Sequence, residues 1–115
     1  MYQEGLSGLN GFQKPTIKTS YSKNIYWVFG LVAENEKLYN DALEILKKNK
    51  IGTRPFFWSM HEQPVFKVKG LFENENYPVA ERISRLGFYI PSGIGLTNEQ
   101  VQIVIQTLLK VNNEL

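Results

Sequence analysis

Nine consecutive residues, Ile25-Tyr-Trp-Val-Phe-Gly-Leu-Val-Ala33, leave this chain little freedom of fold. β-Branched and aromatic side chains dominate the run, and both alternating sets are apolar. Ile25, Trp27, Phe29 and Leu31 would point one way, and Tyr26, Val28 and Val32 the other. A strand with one apolar face can lie on a core and turn its back to water, whereas a strand apolar on both faces needs two covers. The run is therefore read as a central strand covered on both faces, or as one with a helix layer below and a partner domain above, Trp27 and Phe29 serving as packing residues. Gly30 in its middle predicts a bulge or the close approach of another group.

The segments after it supply one of those covers. Asn35 is placed to cap a helix over 36–49, whose Leu38, Ala42, Ile45 and Leu46 fall on one stripe, while Glu44 and Lys48 form an i,i+4 pair on the other side. Residues 50–58 begin as a strand that Pro55 confines to a sheet edge, and 67–76 reads as an exposed loop. Pro78 starts a short helix through Arg85, Gly87 stops it, and 86–90 is a short strand ending at Pro91. Ser92-Gly93-Ile94-Gly95 is a turn without the glycine spacing of a phosphate loop. Thr97-Asn-Glu-Gln100 is a capping box, and its helix carries Val101, Val104, Ile105, Leu108 and Leu115 on one stripe. Residues 1–24, with Gly5, Gly8, Gly11 and Pro15, form a loosely structured lead-in to a domain over 25–115. The order predicts a small two-layer α/β sandwich of about three strands, with the two main helices packed on one face.

Composition excludes more than it selects. A chain of 115 residues can bury one core, and a formal net charge of +2 with interspersed signs argues against nucleic acid or an anionic membrane as partner. There is no cysteine and a single histidine, so neither a disulfide nor a zinc cluster is expected. His61-Glu62 opens like a zinc-protease helix, but Val65 stands where its second histidine belongs. No apolar run approaches the roughly 20 residues that span a bilayer, and the N-terminus has neither the basic start nor the apolar core of a signal peptide. The cytoplasm is the expected location.

The most unusual stretch is Ile51–Phe66, which holds four aromatic residues, the only histidine and one of three arginines between and around Pro55 and Pro64. It is poor helix material and too aromatic for a solvated loop. Two readings stay open: a surface shaped to hold a ligand, or a buried connection whose polar groups satisfy one another.

Six motifs follow in order between Tyr26 and Gln100, and the resemblance they carry covers roughly residues 24–113. They are Tyr26-Trp-Val-Phe29, Ile51-Gly-Thr-Arg-Pro-Phe-Phe57, Met60-His-Glu-Gln-Pro-Val-Phe66, Tyr77-Pro-Val-Ala-Glu81, Leu86-Gly-Phe-Tyr-Ile-Pro-Ser-Gly93 and Leu96-Thr-Asn-Glu-Gln100. Together they resemble the C-terminal part of the DegT/DnrJ/StrS sugar-nucleotide aminotransferases, most of all the perosamine-synthase branch. The resemblance implies the small domain of a fold-type-I enzyme that uses pyridoxal 5′-phosphate to aminate a nucleotide-linked keto-sugar. That chemistry needs a lysine for the cofactor, an acid for its ring nitrogen and donors for its phosphate. In the family these lie in a large domain, and none of the ten lysines here sits in a matching motif. The expectation is a chain without the large cofactor-binding domain, with no catalytic, cofactor-binding or metal residues, inactive alone, and partnered by that domain or by a second copy. Arg54 would hold a substrate phosphate or carboxylate, His61 would donate to a substrate oxygen or diphosphate, and Phe56, Phe57 and Met60 would wall the sugar pocket. Tyr89 and Ser92 are weaker candidates. Against this, Arg54 is open to pairing with an acid such as Glu62, and His61 to being a satisfied buried histidine. Two other classes of function remain: a non-catalytic dimerisation or interaction module, and a small domain binding anionic sugars.

Overall fold

A computed structural model of the chain describes residues 1–112; Leu115 of the expected helix stripe lies outside them. The elements in order are helix α1 (Tyr2–Gly5), strands β1 (Phe12–Gln13) and β2 (Phe29–Ala33), helix α2 (Glu36–Lys48), strand β3 (Arg54–Pro55), a 3₁₀ turn (Met60–Glu62), helices α3 (Pro64–Val68) and α4 (Pro78–Leu86), strand β4 (Gly87–Ile90) and helix α5 (Asn98–Val111). The strands form one antiparallel sheet in the order β1-β2-β4-β3.

The central strand is shorter than its sequence suggests. It begins at Phe29 because Tyr26 adopts φ +51°, a left-handed conformation that a strand cannot contain. The Asn24 side chain stabilises this bend by accepting the Tyr26 N–H at 2.7 Å. Ile25 and Trp27 consequently leave the sheet and face solvent, so the reading of Trp27 as a packing residue is corrected. Phe29, whose ring stacks on Tyr26, is buried as expected.

Within the sheet the pleat sorts the side chains. Phe29 lies opposite Ile90 and Leu31 opposite Phe88, and all four join the core with Ala33. Leu38, Ala42 and Leu46 of α2 and Val101, Val104, Ile105 and Leu108 of α5 cover this inner face. Both helices start where the sequence says they should. The Asn35 side chain accepts the Leu38 N–H at 3.0 Å, and Thr97 and Gln100 exchange side chain-to-backbone bonds at 3.2 and 2.9 Å.

Residues 1–24 differ along their length from the expected loose lead-in. Tyr2, Leu6, Leu9 and Phe12 are buried in the same core, and Phe12 pairs with Ala33 at the sheet edge. Their glycines punctuate short elements that sequence periodicity is too short to show. Burying a leucine such as Leu6 is worth about 1.5–3 kcal/mol, so this segment contributes to the domain's stability. Tyr2 donates its hydroxyl to the Pro91 carbonyl at 2.7 Å, and burial pushes its phenol up to about 12. From Thr16 to Asn24 the chain is a surface hairpin, bridged between Lys18 and Lys23.

The outer face of the sheet carries Gly30, Val32, Gly87 and Tyr89. Phe56, half-buried, lies flat against both glycines: a Cβ on Gly30 would come within 2.3 Å of its ring, and one on Gly87 within 2.2 Å. Gly30 therefore marks a close approach rather than a bulge. Helix α4 crosses this face, so the second cover is partly internal to the chain. Residues 67–76 are exposed as predicted, although Lys67 and Val68 are the end of helix α3, which starts at Pro64.

Candidate functional site

The predicted site residues divide into two groups on the outer side of the sheet. Arg54 stands on the edge strand β3, exposed, opposite Tyr89 in the ladder. Cross-strand partners project to one face, and the two share an open cavity of about 610 Å³ with Thr53, Pro91 and Ser92. The guanidinium has no ion pair or side-chain hydrogen bond among the described residues, and Glu62 is not its partner.

Glu62 instead bonds Arg85 on α4. That contact is one of three ties between the turn at 59–62 and helix α4. His61 is buried, with Nε2 2.9 Å from Glu81 Oε1 and its ring edge-on to Tyr77 at 5.0 Å. Ser59 donates to the Ser84 hydroxyl at 3.2 Å, and Ser84 in turn to the Glu81 carbonyl at 2.9 Å. Glu81 also accepts the Tyr77 N–H at 3.1 Å. The bond from His61 and then the Tyr77 amide hold the Glu81 carboxyl below its ordinary value of 4.5, against a smaller upward push from burial. The His61 imidazole is thus fully engaged by the fold on its Nε2 side. Glu62 retains one buried carboxylate oxygen, Oε2, without a hydrogen-bond partner among the described residues.

His61 and Arg54 do not line one cavity. His61 borders a separate one of about 430 Å³ with Glu62, Lys67, Glu73, Glu75 and Glu81. Among the described residues no cluster of His, Asp and Glu is arranged to hold a metal ion, and no helix is long and apolar enough to cross a membrane. Of the three predicted wall residues, Phe56 is wedged against the sheet, while Phe57 and Met60 are exposed. Phe57 stacks on Trp27, and its ring also meets Tyr89.

Sequence reasoning missed Glu81, Arg85, Trp58 and the outward position of Trp27. The Arg85 guanidinium lies over the Trp58 ring at 5.4 Å. Glu81 ends a motif quoted above, but nothing local says that it reaches back to His61. For Trp27 a signal exists: Asn24 two residues before Tyr26 can form the side chain-to-backbone turn that breaks the strand.

A pyridoxal phosphate cofactor does not fit the donors present. Such a group needs a lysine aimed into a closed pocket and a cradle for its phosphate. Nine of the ten lysines are exposed, and Lys14, half-buried, donates to the Leu6 carbonyl at 2.9 Å.

Comparison with known proteins agrees on the fold and on the scale of what is present. Residues 1–109 match the profile of the DegT/DnrJ/EryC1/StrS aminotransferase family. The chain is 32% identical over 79 residues to GDP-perosamine synthase of Vibrio cholerae, covering 67% of this chain and 21% of that protein. It is 26% identical over 83 residues to GDP-perosamine synthase of Escherichia coli O157:H7, covering 72% of this chain and 22% of that one. Among solved structures, the aminotransferase TlmJ from Streptoalloteichus hindustanus superposes with a TM-score of 0.81 at 18% identity, covering 98% of this chain and 29% of that one. At that identity the likeness is one of fold, the architecture of a fold-type-I aminotransferase C-terminal domain. The chain spans between about a fifth and a third of the length of the curated relatives it matches.

Proposed function

Because the chain belongs to the DegT/DnrJ/EryC1/StrS aminotransferase family, we propose that it is the C-terminal portion of a pyridoxal phosphate-dependent enzyme that aminates a nucleotide-linked keto-sugar. In this reading it lines the substrate side of the site and depends on a large cofactor-binding domain, in the same gene product or a separate chain, for chemistry. Two relatives named GDP-perosamine synthase favour the perosamine branch. The observation that carries the reading is the Arg54 cavity, in which an exposed guanidinium without an ion pair or side-chain hydrogen bond among the described residues sits between Thr53 and the Tyr89–Ser92 strand end. A planar guanidinium binds phosphate or carboxylate through paired N–H donors. In this reading the exposed Phe57 and Met60, which lie outside the Arg54 cavity itself, supply an apolar wall to the substrate, with Phe56 as support. His61 acts in the same reading from the adjoining turn, with Glu81 fixing its ring.

Two measurements test this. Incubation with pyridoxal phosphate followed by gel filtration is expected to leave no cofactor on the chain; a retained, covalently attached cofactor would overturn the absence of a competent lysine. Titration with a nucleoside diphosphate-sugar is expected to give saturable binding that Arg54→Ala weakens about tenfold or more, the range for loss of a hydrogen bond to a charged group. Binding unchanged by that substitution would remove Arg54 from the site.

A second reading, association through the outer face, is favoured by the exposure of Ile25 and Trp27. Light scattering decides it: a strictly monomeric chain at high concentration counts against it.

A further inference from the structure

Gly11 is a residue the fold cannot readily exchange. Its φ of +74° lies in the left-handed region, and a Cβ on it would fall 2.5 Å from the Leu38 side chain. The residue before it is Asn10, and of the chain's ten asparagines it alone precedes a glycine. That pair carries a chemistry of its own. The main-chain nitrogen that follows an asparagine can attack the side-chain amide carbon and close a succinimide ring. Glycine has no side chain to shield that nitrogen or to restrict its approach.

Both reacting groups are open. Asn10 is exposed, and among the described residues neither its side-chain amide nor the Gly11 N–H makes a hydrogen bond. The main chain around them is fastened instead, on both sides. Asn112, at the end of α5, accepts the Asn10 N–H at 2.9 Å and donates to the Asn10 carbonyl at 3.1 Å. The Gly11 carbonyl accepts the Glu34 N–H at 2.8 Å, and Phe12 and Gln13 then pair with Ala33 and Val32. This joint ties the segment that carries Leu6, Leu9 and Phe12 to the sheet and to α5.

We propose that Asn10–Gly11 is a site of spontaneous covalent modification, restrained by Asn112, whose product unfastens the N-terminal segment. The Gly11 amide gives its proton to solvent base and its nitrogen bonds to Asn10 Cγ. The bond from Cγ to the side-chain nitrogen breaks, and ammonia leaves with a proton from water. Water then opens the succinimide at either carbonyl, giving aspartate or isoaspartate at position 10. In isoaspartate the main chain runs through Cβ and Cγ, so it gains one carbon between the Asn112 clamp and β1. The clamped carbonyl becomes a carboxylate, and a Glu34 carboxylate oxygen already lies 3.8 Å from where a Gly11 Cβ would be. The clamp and the Phe12–Ala33 register cannot both survive that insertion.

The test is incubation of the whole chain in warm, mildly alkaline buffer, read by peptide mass mapping and by methylation with an isoaspartyl methyltransferase. Asn10 is expected to convert ahead of the other asparagines and to become methyl-accepting. Asn10→Gln, whose longer side chain disfavours the ring, should stay unmodified; it should also stay folded, because the side chain is exposed. Asn112→Ala frees the Asn10 main chain and should speed conversion about tenfold, the factor for one to two hydrogen bonds lost. In the converted chain, hydrogen exchange should rise at the Leu6, Leu9 and Glu34 amides, which are bonded in the starting structure, and stay unchanged within α2. Conversion of Asn10 no faster than that of another asparagine, or only in Asn112→Ala, would overturn the site. An unchanged rate in Asn112→Ala would overturn the clamp as its restraint. Full conversion with the Glu34 amide as protected as before would overturn the unfastening.

Discussion

On the side of the sheet that meets α2 and α5, Phe29, Leu31, Phe88 and Ile90 are each no more than 3% exposed. On the opposite side the same two strands present Gly30, Val32 and Gly87, buried beneath the half-buried Phe56 ring and the short helix α4, and Tyr89, which is half-exposed. The inner face contributes stability through apolar area removed from water and tight packing. The outer face gives up that area. Its glycines let Phe56 approach the backbone, and the rings and charges around it remain reachable from solvent. Stability and recognition are thus assigned to different faces of one small sheet, and the contrast is open to experiment.

The largest effect is expected on the inner face. Phe88→Ala empties a fully buried position against Phe12 and Tyr39 and should cost about 3–5 kcal/mol, measured by urea unfolding. For a domain of this size such a loss approaches the whole stability. A cost below about 1 kcal/mol would show that the inner face is loosely packed and that the contrast is false.

A smaller but sharper effect is expected at the seam between the faces. A Cβ on Gly87 would sit 2.3 Å from the Ile83 carbonyl oxygen as well as 2.2 Å from the Phe56 ring. At Gly30 all three nearest atoms belong to the Phe56 ring alone. Gly87→Ala should therefore cost about 1–3 kcal/mol as overpacking, and Phe56→Ala should not relieve it because the carbonyl clash remains. Gly30→Ala should be partly rescued by Phe56→Ala. A double-mutant cycle separates the two; equal rescue at both glycines would mean that the backbone at Gly87 shifts freely.

What could be read in the sequence follows the same division. The inner face announces itself through period: the stripe of α2, the capping box of α5 and the alternation of β2 each need only a few neighbouring residues to be seen. The helix start at Pro78 and the stop at Gly87 are also local signals. The outer face is assembled from long-range contacts. Phe56 reaches Gly30 and Gly87, Glu81 reaches His61, and Arg85 reaches both Glu62 and Trp58. Residue types made Arg54 and His61 candidates, but only the fold separates a guanidinium left open from an imidazole held by α4. The core role of Leu6, Leu9 and Phe12 was hidden for a related reason: elements of two to four residues have no period.

The smallest expected effect concerns the His61–Glu81 hydrogen bond that fastens the 59–62 turn to α4. The folded-state carboxyl of Glu81 titrates below the ordinary glutamate value of 4.5, chiefly through the bond from His61 and then the Tyr77 amide. A depressed carboxyl binds fewer protons in the folded state than in the unfolded one, so its stabilisation is fully present above about 4.5 and is lost as pH falls through the folded value. Glu81→Gln should remove that segment of the pH dependence: the variant is less stable than the wild type at neutral pH, and the gap closes on acidification below 4.5. The site is solvent-facing, so the gap is modest beside that of Phe88→Ala. Urea unfolding at several pH values from neutrality downward measures it. A gap that stays constant with pH would mean that Glu81 acts through packing rather than charge, and the outer face would then be held by the same forces as the inner one.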